Sequence, residues 1–149
     1  ADVLMQNTDS PAVLQTAEKM GKRAFGWDSD MTAYGPKAHL GSAVINWGPY
    51  YKKTVADALA GSWSTGKAWW GVKEGAIDLV SIADDVPAEL KQKVDAVKAG
   101  LKDGSFAIWK GPIKDQAGQE VLAKDVVADD AFLGGIKFYV KGVEGKLPN

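Results

Sequence analysis

The chain contains no cysteine and almost no net charge, and each shortage excludes a class of function. Without cysteine there are no disulfides, no thiolate metal ligands and no cysteine nucleophile. The 18 basic and 19 acidic residues leave a formal charge of −1, which favours neither nucleic acid nor an anionic membrane surface as a partner. No apolar run approaches the roughly 20 residues of a membrane-spanning helix. At 149 residues, 46% of them hydrophobic, the chain is long enough for one globular domain.

Sequence motifs of common enzyme classes are also missing. There is no Gly-x-Gly-x-x-Gly after a strand, no P-loop and no Gly-x-Ser-x-Gly. His39 is the single histidine, and because no nucleophile lies near it in the sequence we interpret it as a structural imidazole. Acidic pairs at 84–85 and 129–130 are interpreted as helix-start caps rather than cation ligands. We therefore expect neither a cofactor nor a metal ion.

Apolar patterning predicts an α/β fold with a Rossmann-like parallel sheet. Short apolar runs bounded by turn residues predict strands at 3–5, 23–27, 40–45, 69–72, 76–82, 106–109 and 136–140. Residues at helical spacing predict helices over 10–20, 49–60 and 84–103, with a short helix near residue 130. The expected inner faces are Tyr51, Val55, Ala58 and Leu59 in the second helix, and Leu90, Val94, Val97 and Leu101 in the third. The opening strand, helix and strand predict one right-handed parallel unit.

Two carboxylates follow the second predicted strand. Open α/β sheets bind ligands at the carboxyl ends of their strands, so Asp28 and Asp30 are candidate ligand-binding residues. A carboxylate there can accept two hydrogen bonds from adjacent hydroxyl groups. The alternative interpretation is that both residues cap turns. Trp27, beside them, is a candidate for the wall of a pocket, with core packing as its alternative.

Three further polar residues occupy predicted turns. Lys73 lies between Gly71 and Gly75, directly after two tryptophans, and could donate to a hydroxyl or a ring nitrogen. An exposed hairpin lysine is the alternative. Asn7 and Thr8 end the first predicted strand, where they could contact a polar ligand edge or start the following helix. Together with the carboxylates, these residues indicate recognition of a small polyhydroxylated molecule rather than catalysis.

Several short motifs follow one another along the chain in a characteristic order. They are Gly26-Trp27-Asp28-Ser29-Asp30-Met31, Asn46-Trp47-Gly48-Pro49-Tyr50-Tyr51, Gly71-Val72-Lys73-Glu74-Gly75, and the segments 36–38, 59–63, 111–118 and 140–145. Together they resemble the basic membrane protein (BMP) family of ABC-transporter substrate-binding lipoproteins. The resemblance implies a type I periplasmic-binding fold, with two α/β lobes around a cleft, and a purine nucleoside or purine base as ligand. It also implies that Asp28 and Lys73 contact ribose hydroxyls. Met31 replaces the usual Gln and Trp27 a small aliphatic residue, changes that could favour a bare base.

Only the later half of such a protein is matched by the resemblance, so we expect a truncated lobe. Residues 1–110 would form most of the carboxyl-terminal lobe, and residues 111–149 a crossover segment returning toward a missing amino-terminal lobe. The expected function is solute binding, without chemistry, for an ABC importer. Expected partners are a purine, a membrane permease, and either the missing lobe or a second copy of the chain. The expected location is periplasmic or lipid-anchored outside the cytoplasmic membrane. The alternative function is a small nucleoside-processing enzyme with Asp28 or Asp30 as general base.

Overall fold

The chain's main sheet has four strands in the order β1-β2-β3-β4 in the computed structural model, which describes residues 1–147. Its strands are β1 (Val3–Leu4), β2 (Arg23–Asp28), β3 (His39–Ile45) and β4 (Ile77–Val80). The helices between and after them are α1 (Ala12–Lys19), α2 (Gly48–Leu59) and α3 (Ala88–Asp103). The first three strands run parallel, and β4 pairs antiparallel with β3. The predicted α/β class with a predominantly parallel sheet is therefore confirmed.

The core lies between α1 and the first half of the sheet. Its buried residues are Leu14, Ala17, Ala24, Met31 and Ala38. Helical spacing predicts an apolar stripe for α1, made of Val13, Leu14, Ala17 and Met20. Leu14 and Ala17 are buried and Val13 is half-buried, whereas Met20, at the end of the helix, is 68% exposed. Strand β2 contributes Ala24 from its buried face. At the start of α1, Ser10 Oγ accepts a hydrogen bond from Ala12 N at 3.3 Å, as expected of a residue that precedes a helix. This small core fixes β2 and the loop that follows it.

Helices α2 and α3 form where predicted, but their packing differs from the expected pattern. Tyr51, Val55 and Leu59 are 59%, 58% and 86% exposed, and α2 has no buried residue, so its predicted inner face is wrong. In α3, Val94, Val97 and Leu101 line a groove of about 440 Å³ against the sheet, whereas Leu90 is 48% exposed and does not line it. Helical periodicity identifies the apolar side of a helix, but it does not supply the element that covers that side.

Three predicted strands are wrong. Residues 69–72 lead into a turn, because Gly71 N donates to Glu74 Oε2 at 2.8 Å and Ala76 N donates to Gly71 O at 3.0 Å. Residues 106–109 form no strand, and 136–140 contribute only an isolated bridge between Asp115 and Val140. In each case three or four apolar residues suggested a strand. At 69–72, turn bonding decided the backbone instead, whereas Trp109 O and Tyr139 O accept single bonds from the remote residues Ala128 and Gln116.

A second compact unit covers Phe106–Asn149, after a first unit over Ala1–Ser105. It contains an antiparallel pair, β5 (Ile113–Lys114) and β6 (Glu120–Leu122), and one short helix, α4 (Asp130–Gly134). Asp129 caps this helix by accepting a bond from Phe132 N at 2.7 Å, as predicted for that acidic pair. Helix α3, by contrast, begins after Pro87, so the pair at 84–85 precedes it rather than capping it. Within residues 1–147, every helix is too short or too polar to cross a bilayer.

Candidate functional site

The carboxyl ends of β1, β2 and β3 meet at one edge of the sheet, because these strands are parallel neighbours. Asn7 and Thr8 follow β1, Asp28 is the last residue of β2, and Asn46 follows β3. The strand topology therefore brings residues that are far apart in the sequence to the same edge. We call this set of residues the carboxyl edge.

Asp28 has the most unusual backbone at the carboxyl edge. It is paired in register with Val44 of β3 and adopts a left-handed conformation, with φ of 70°. A residue with a side chain pays about 1–3 kcal/mol for such a conformation, so the surrounding structure must hold it. Asp28 is half-buried, and its carboxylate takes part in none of the side-chain hydrogen bonds or ion pairs formed among residues 1–147. Asp28 therefore presents acceptor oxygens that the described chain leaves available.

The turn that carries Lys73 is fastened to the same edge by Asn46. Asn46 N donates to Ala76 O at 2.7 Å, and its side-chain Nδ2 donates to Gly75 O at 3.2 Å. Gly75 has φ of 72°, which closes the turn at little steric cost. The Lys73 side chain is exposed. The backbone of the turn that carries Lys73 is thus held beside the carboxyl end of β3. Ligand contact by Lys73 stays a prediction. Sequence reasoning missed Asn46 as the anchor, although it opens one of the motifs quoted above.

The first strand end is held by local bonds. Thr8 Oγ1 donates to Gln6 Oε1 at 2.6 Å, and Gln6 Nε2 donates to Phe25 O at 3.2 Å. Asn7 and Thr8 are both exposed at the carboxyl edge. Trp27 is half-buried and paired with Ala43, and alternation along the strand places it on the opposite face from Gly26. Ligand contact by these three residues stays a prediction.

Asp30 lies away from the carboxyl edge, folded back toward the end of β4. Its Oδ2 accepts from Ser81 Oγ at 2.5 Å, and its Oδ1 accepts from Thr32 N at 3.0 Å and from Thr32 Oγ1 at 2.6 Å. These bonds, first the one from Ser81 and then those from Thr32, lower the pKa of Asp30 to about 2. The structure therefore gives Asp30 a turn-holding arrangement, which was the alternative interpretation of this residue.

Aromatic side chains form a second feature beside the carboxyl edge. Trp47 stacks on Tyr51 with ring centroids 5.9 Å apart, and Tyr50 meets Trp70 edge to face at 5.7 Å. A groove of about 420 Å³ lies here, lined by Ile45, Asn46, Trp47, Tyr50, Ala68, Trp70, Ala76 and Ile77. Sequence reasoning did not locate this cluster. Flat aromatic walls of this kind suit a planar ligand.

The carboxyl edge thus offers a carboxylate acceptor, with an exposed lysine on the attached turn and aromatic surface beside it. No three metal-ligating side chains converge anywhere in residues 1–147. This combination can bind a polar molecule by charge-assisted hydrogen bonds.

Comparison with known proteins identifies the family. Residues 1–107 match the family described as ABC transporter substrate-binding protein PnrA-like. The chain belongs to this family. The match confirms the resemblance drawn from the sequence motifs, which was to a family of ABC-transporter substrate-binding proteins.

Two curated relatives cover nearly the whole chain. A purine-binding protein of Brucella abortus is 40% identical over 147 residues, which is 99% of this chain and 42% of the relative. A putative ABC transporter glucose-binding protein of Haloferax volcanii is 26% identical over 148 residues, again 99% of this chain and 35% of the relative. The chain therefore spans about two fifths of the length of the curated relatives that it matches.

Solved structures share the fold. A protein of Bacillus halodurans described as a transcriptional activator of the comK gene has a TM-score of 0.65 and 18% identity, over 71% of this chain and 38% of its own. An ABC transporter solute-binding protein of Conexibacter woesei has a TM-score of 0.55 and 22% identity, over 72% of this chain and 37% of its own. At these identities the likeness concerns the fold alone.

Proposed function

We propose that this chain supplies one wall of a purine-binding site in the solute-binding component of an ABC importer. The observation that carries the proposal is the 40% identity to a purine-binding protein along 99% of the chain, within a family of ABC substrate-binding proteins. In this proposal residues 1–110 form most of a carboxyl-terminal lobe, and residues 111–149 return toward the amino-terminal lobe. The ligand lies in the cleft between the two lobes.

The chemistry of the proposed site follows from the carboxyl edge. The Asp28 carboxylate accepts hydrogen bonds from two neighbouring hydroxyl groups of a ribose, and the Lys73 ammonium donates to the same ligand. Asn7, Thr8 and Trp27 line the remainder of the carboxyl edge. A ligand lacking the hydroxyls leaves the carboxylate desolvated and unpaired, which provides discrimination. No bond of the ligand is broken.

The enzymatic alternative is less well supported. A general base works best with a pKa near the operating pH, whereas the pKa of Asp30 is about 2 and both its oxygens are already engaged. Asp28 forms no ion pair with a possible general acid among the described residues 1–147. Binding without turnover therefore fits the site better than catalysis.

The cellular setting is part of the same proposal. ABC substrate-binding proteins deliver a small molecule to a membrane permease, so we propose a permease partner and a position outside the cytoplasmic membrane, periplasmic or lipid-anchored. Val3 and Leu4, in the outermost strand β1, and Met5 after it are 50%, 36% and 81% exposed. Contact of strand β1 with an amino-terminal lobe or with a second copy of the chain stays a prediction.

A graft experiment tests the ligand. The chain replaces its matching segment in the Brucella relative, and binding of adenosine, adenine and glucose is measured by calorimetry. We expect adenosine to bind, and Asp28→Asn to weaken it by about 1.5–3 kcal/mol, the usual range for a hydrogen bond to a charged group. Asp95→Asn, an exposed change on α3, is the matched control and should leave affinity unchanged.

Each result has a definite meaning. Binding of adenine alone, insensitive to Asp28→Asn, would remove Asp28 from ligand contact and assign the site to a bare base. Binding of glucose without either purine would refute the purine assignment and align the chain with the Haloferax relative. Release of a modified purine, detected by mass spectrometry, would refute binding without chemistry.

A further inference from the structure

The loop after β2 is fastened to the sheet by a chain of side chains that the ligand proposal does not use. Met31 N donates to Ser42 Oγ at 3.0 Å, and Ser42 Oγ lies 2.8 Å from His39 Nε2. On the other side of the imidazole, His39 Nδ1 lies 3.3 Å from Thr32 Oγ1. His39 and Ser42 are 2% and 0% exposed. We call Asp30, Met31, Thr32, His39 and Ser42 the loop anchor.

The direction of each bond in the loop anchor follows from donor and acceptor counting. The single proton of the Thr32 hydroxyl goes to the Asp30 carboxylate at 2.6 Å, because an ionised carboxylate can only accept. Toward His39, Thr32 Oγ1 is therefore the acceptor, so the imidazole carries its proton on Nδ1. A neutral imidazole then accepts at Nε2, and the Ser42 hydroxyl donates to it. Ser42 Oγ remains free to accept from Met31 N, so every member of the loop anchor is satisfied.

The loop after β2 follows a strained residue, Asp28, and through Asp30 it is bonded to a second strained residue, Ser81. Asp28 has φ of 70°, and Ser81, which donates to Asp30, has φ of 54°. Neither is glycine, so both conformations need support from their surroundings. The loop anchor supplies bonds at Asp30, Met31 and Thr32, immediately after Asp28. Its members come from the loop and from β3, and Asp30 joins them to the residue after β4.

We propose that His39 is a positioning residue: neutral and protonated on Nδ1, it links Thr32 to Ser42 and so holds the loop that keeps Asp28 in its left-handed conformation. The consequence for ligand affinity depends on the proposed function, whereas the proton position and the loop geometry do not. The imidazole touches no ligand in this proposal. It acts through Thr32 and Ser42 on the backbone that presents the Asp28 carboxylate.

The charges around the imidazole agree with a neutral ring. Burial lowers the pKa of His39, the Asp30 carboxylate opposes that effect, and the Arg23 guanidinium adds to it. Arg23 donates through Nη2 to the backbone oxygen of His39 at 3.2 Å, and its positive charge is paired with Asp85 at 2.6 Å. Burial dominates, so the ring stays uncharged at neutral pH and can accept at Nε2.

Nuclear magnetic resonance on the 149-residue chain tests the proton position directly. Because the chain has a single histidine, selective ¹⁵N-histidine labelling yields one pair of ring signals. At pH 7.5 we expect Nδ1 to carry the proton and Nε2 to have the shift of an unprotonated nitrogen. A proton on Nε2, or rapid averaging of the two forms in the wild-type chain, would overturn the proposal without any variant being made.

A matched pair of variants tests the link to the loop. Thr32→Val removes the hydroxyl with little change of shape, so the His39 ring should lose its fixed Nδ1 proton and the amide signals of residues 28–31 should broaden or shift. Thr32→Ser keeps the hydroxyl and should restore both properties. Broadening of these amides in both variants, or in neither, would contradict the proposed role. Ser42→Ala, which breaks the other side of the ring, repeats the test if Thr32→Val fails to fold.

Ligand affinity is the last readout. In the Brucella graft, Thr32→Val should weaken adenosine binding about tenfold, the cost of one supporting hydrogen bond, and Thr32→Ser should stay within about twofold. Unchanged affinity in Thr32→Val, with the His39 proton displaced, would refute positioning of Asp28. If the wild-type graft binds no purine, the proposed function fails, while the ring signals and loop amides still decide the role of His39.

Discussion

Replacing Gly26 by alanine would disturb the buried centre of the loop anchor. A Cβ added at Gly26 would lie 2.3 Å from Ser42 Oγ and 2.8 Å from Met31 Cβ, both far inside normal contact. Ser42 cannot easily withdraw, because it is fully buried and bonded to His39 and to Met31 N. Overpacking costs about 1–3 kcal/mol. Loss of a buried hydrogen bond costs about another 1–3 kcal/mol.

Taking about 2 kcal/mol for each of these costs and subtracting about 0.5–1 kcal/mol for the removal of a strand glycine, we expect Gly26→Ala to lower the free energy of unfolding by about 3 kcal/mol. Urea unfolding followed by far-UV circular dichroism measures the change. The urea concentration at the unfolding midpoint should fall by about 1–2 M for a chain of this size. Gly66→Ala is the control, because nothing lies within 4 Å of a Cβ there.

A double mutant separates the clash from other effects. Ser42→Ala removes the nearest clashing atom, so its combination with Gly26→Ala should cost at least about 1 kcal/mol less than the sum of the two single changes. Two results would refute the reasoning: a stability of Gly26→Ala equal to that of Gly66→Ala, or strict additivity in the double mutant. Either would mean that β2 and β3 separate at this point without resistance.

Two further predictions concern the second unit and the pH dependence. Gly111→Ala places a Cβ 1.9 Å from Ala123 O and 2.7 Å from Leu122 O, both backbone atoms, so hydrogen exchange should show loss of amide protection in β5 and β6 but not in β2 and β3; unaltered protection in β6 would contradict this. The pKa of Asp30 falls from 3.8 to about 2 and that of His39 also lies below its usual 6.5, so in both cases the unfolded state takes up the proton first. The urea midpoint should therefore fall as the pH drops below about 6.5 and again between about pH 4 and 2. Asp30→Asn should reduce the second decrease, to which Asp85 and Asp103, whose carboxyl pKa values are also lowered by hydrogen bonds, contribute as well. A midpoint that rises from pH 7 to 5 would disprove the assignment.

The sequence pattern predicted the structure correctly where interactions between residues close in the sequence determine it. The stripe of α1 predicted its buried side because Leu14 and Ala17 recur at helical spacing and pack on β2. The parallel order of β1 and β2 follows from the intervening helix, since a short turn cannot return a chain to a parallel neighbour. The position of Asp28 at a strand end was likewise accessible from the sequence.

Other properties depended on partners remote in the sequence. Helix α2 has no buried residue, and β4 runs antiparallel to β3. Both features depend on which surfaces pack together in the fold, and hydrophobic periodicity does not reveal this. Asp28 and Asp30 look equivalent as Asp-Ser-Asp, yet they diverge in the fold. Asp30 finds Ser81, 51 residues away, and becomes part of the loop anchor.

The sequence by itself determined the family, the α/β class and the chemical groups available at the carboxyl edge, because these depend on residue identity and local spacing. Tertiary structure alone decided that Asp28 keeps its carboxylate available while Asp30 does not. It also decided that the single histidine lies between Thr32 and Ser42, within the loop anchor that follows Asp28. The physical reason is that hydrogen-bond partners are assigned by proximity in space, and two carboxylates two positions apart can face different neighbours once the backbone between them reverses.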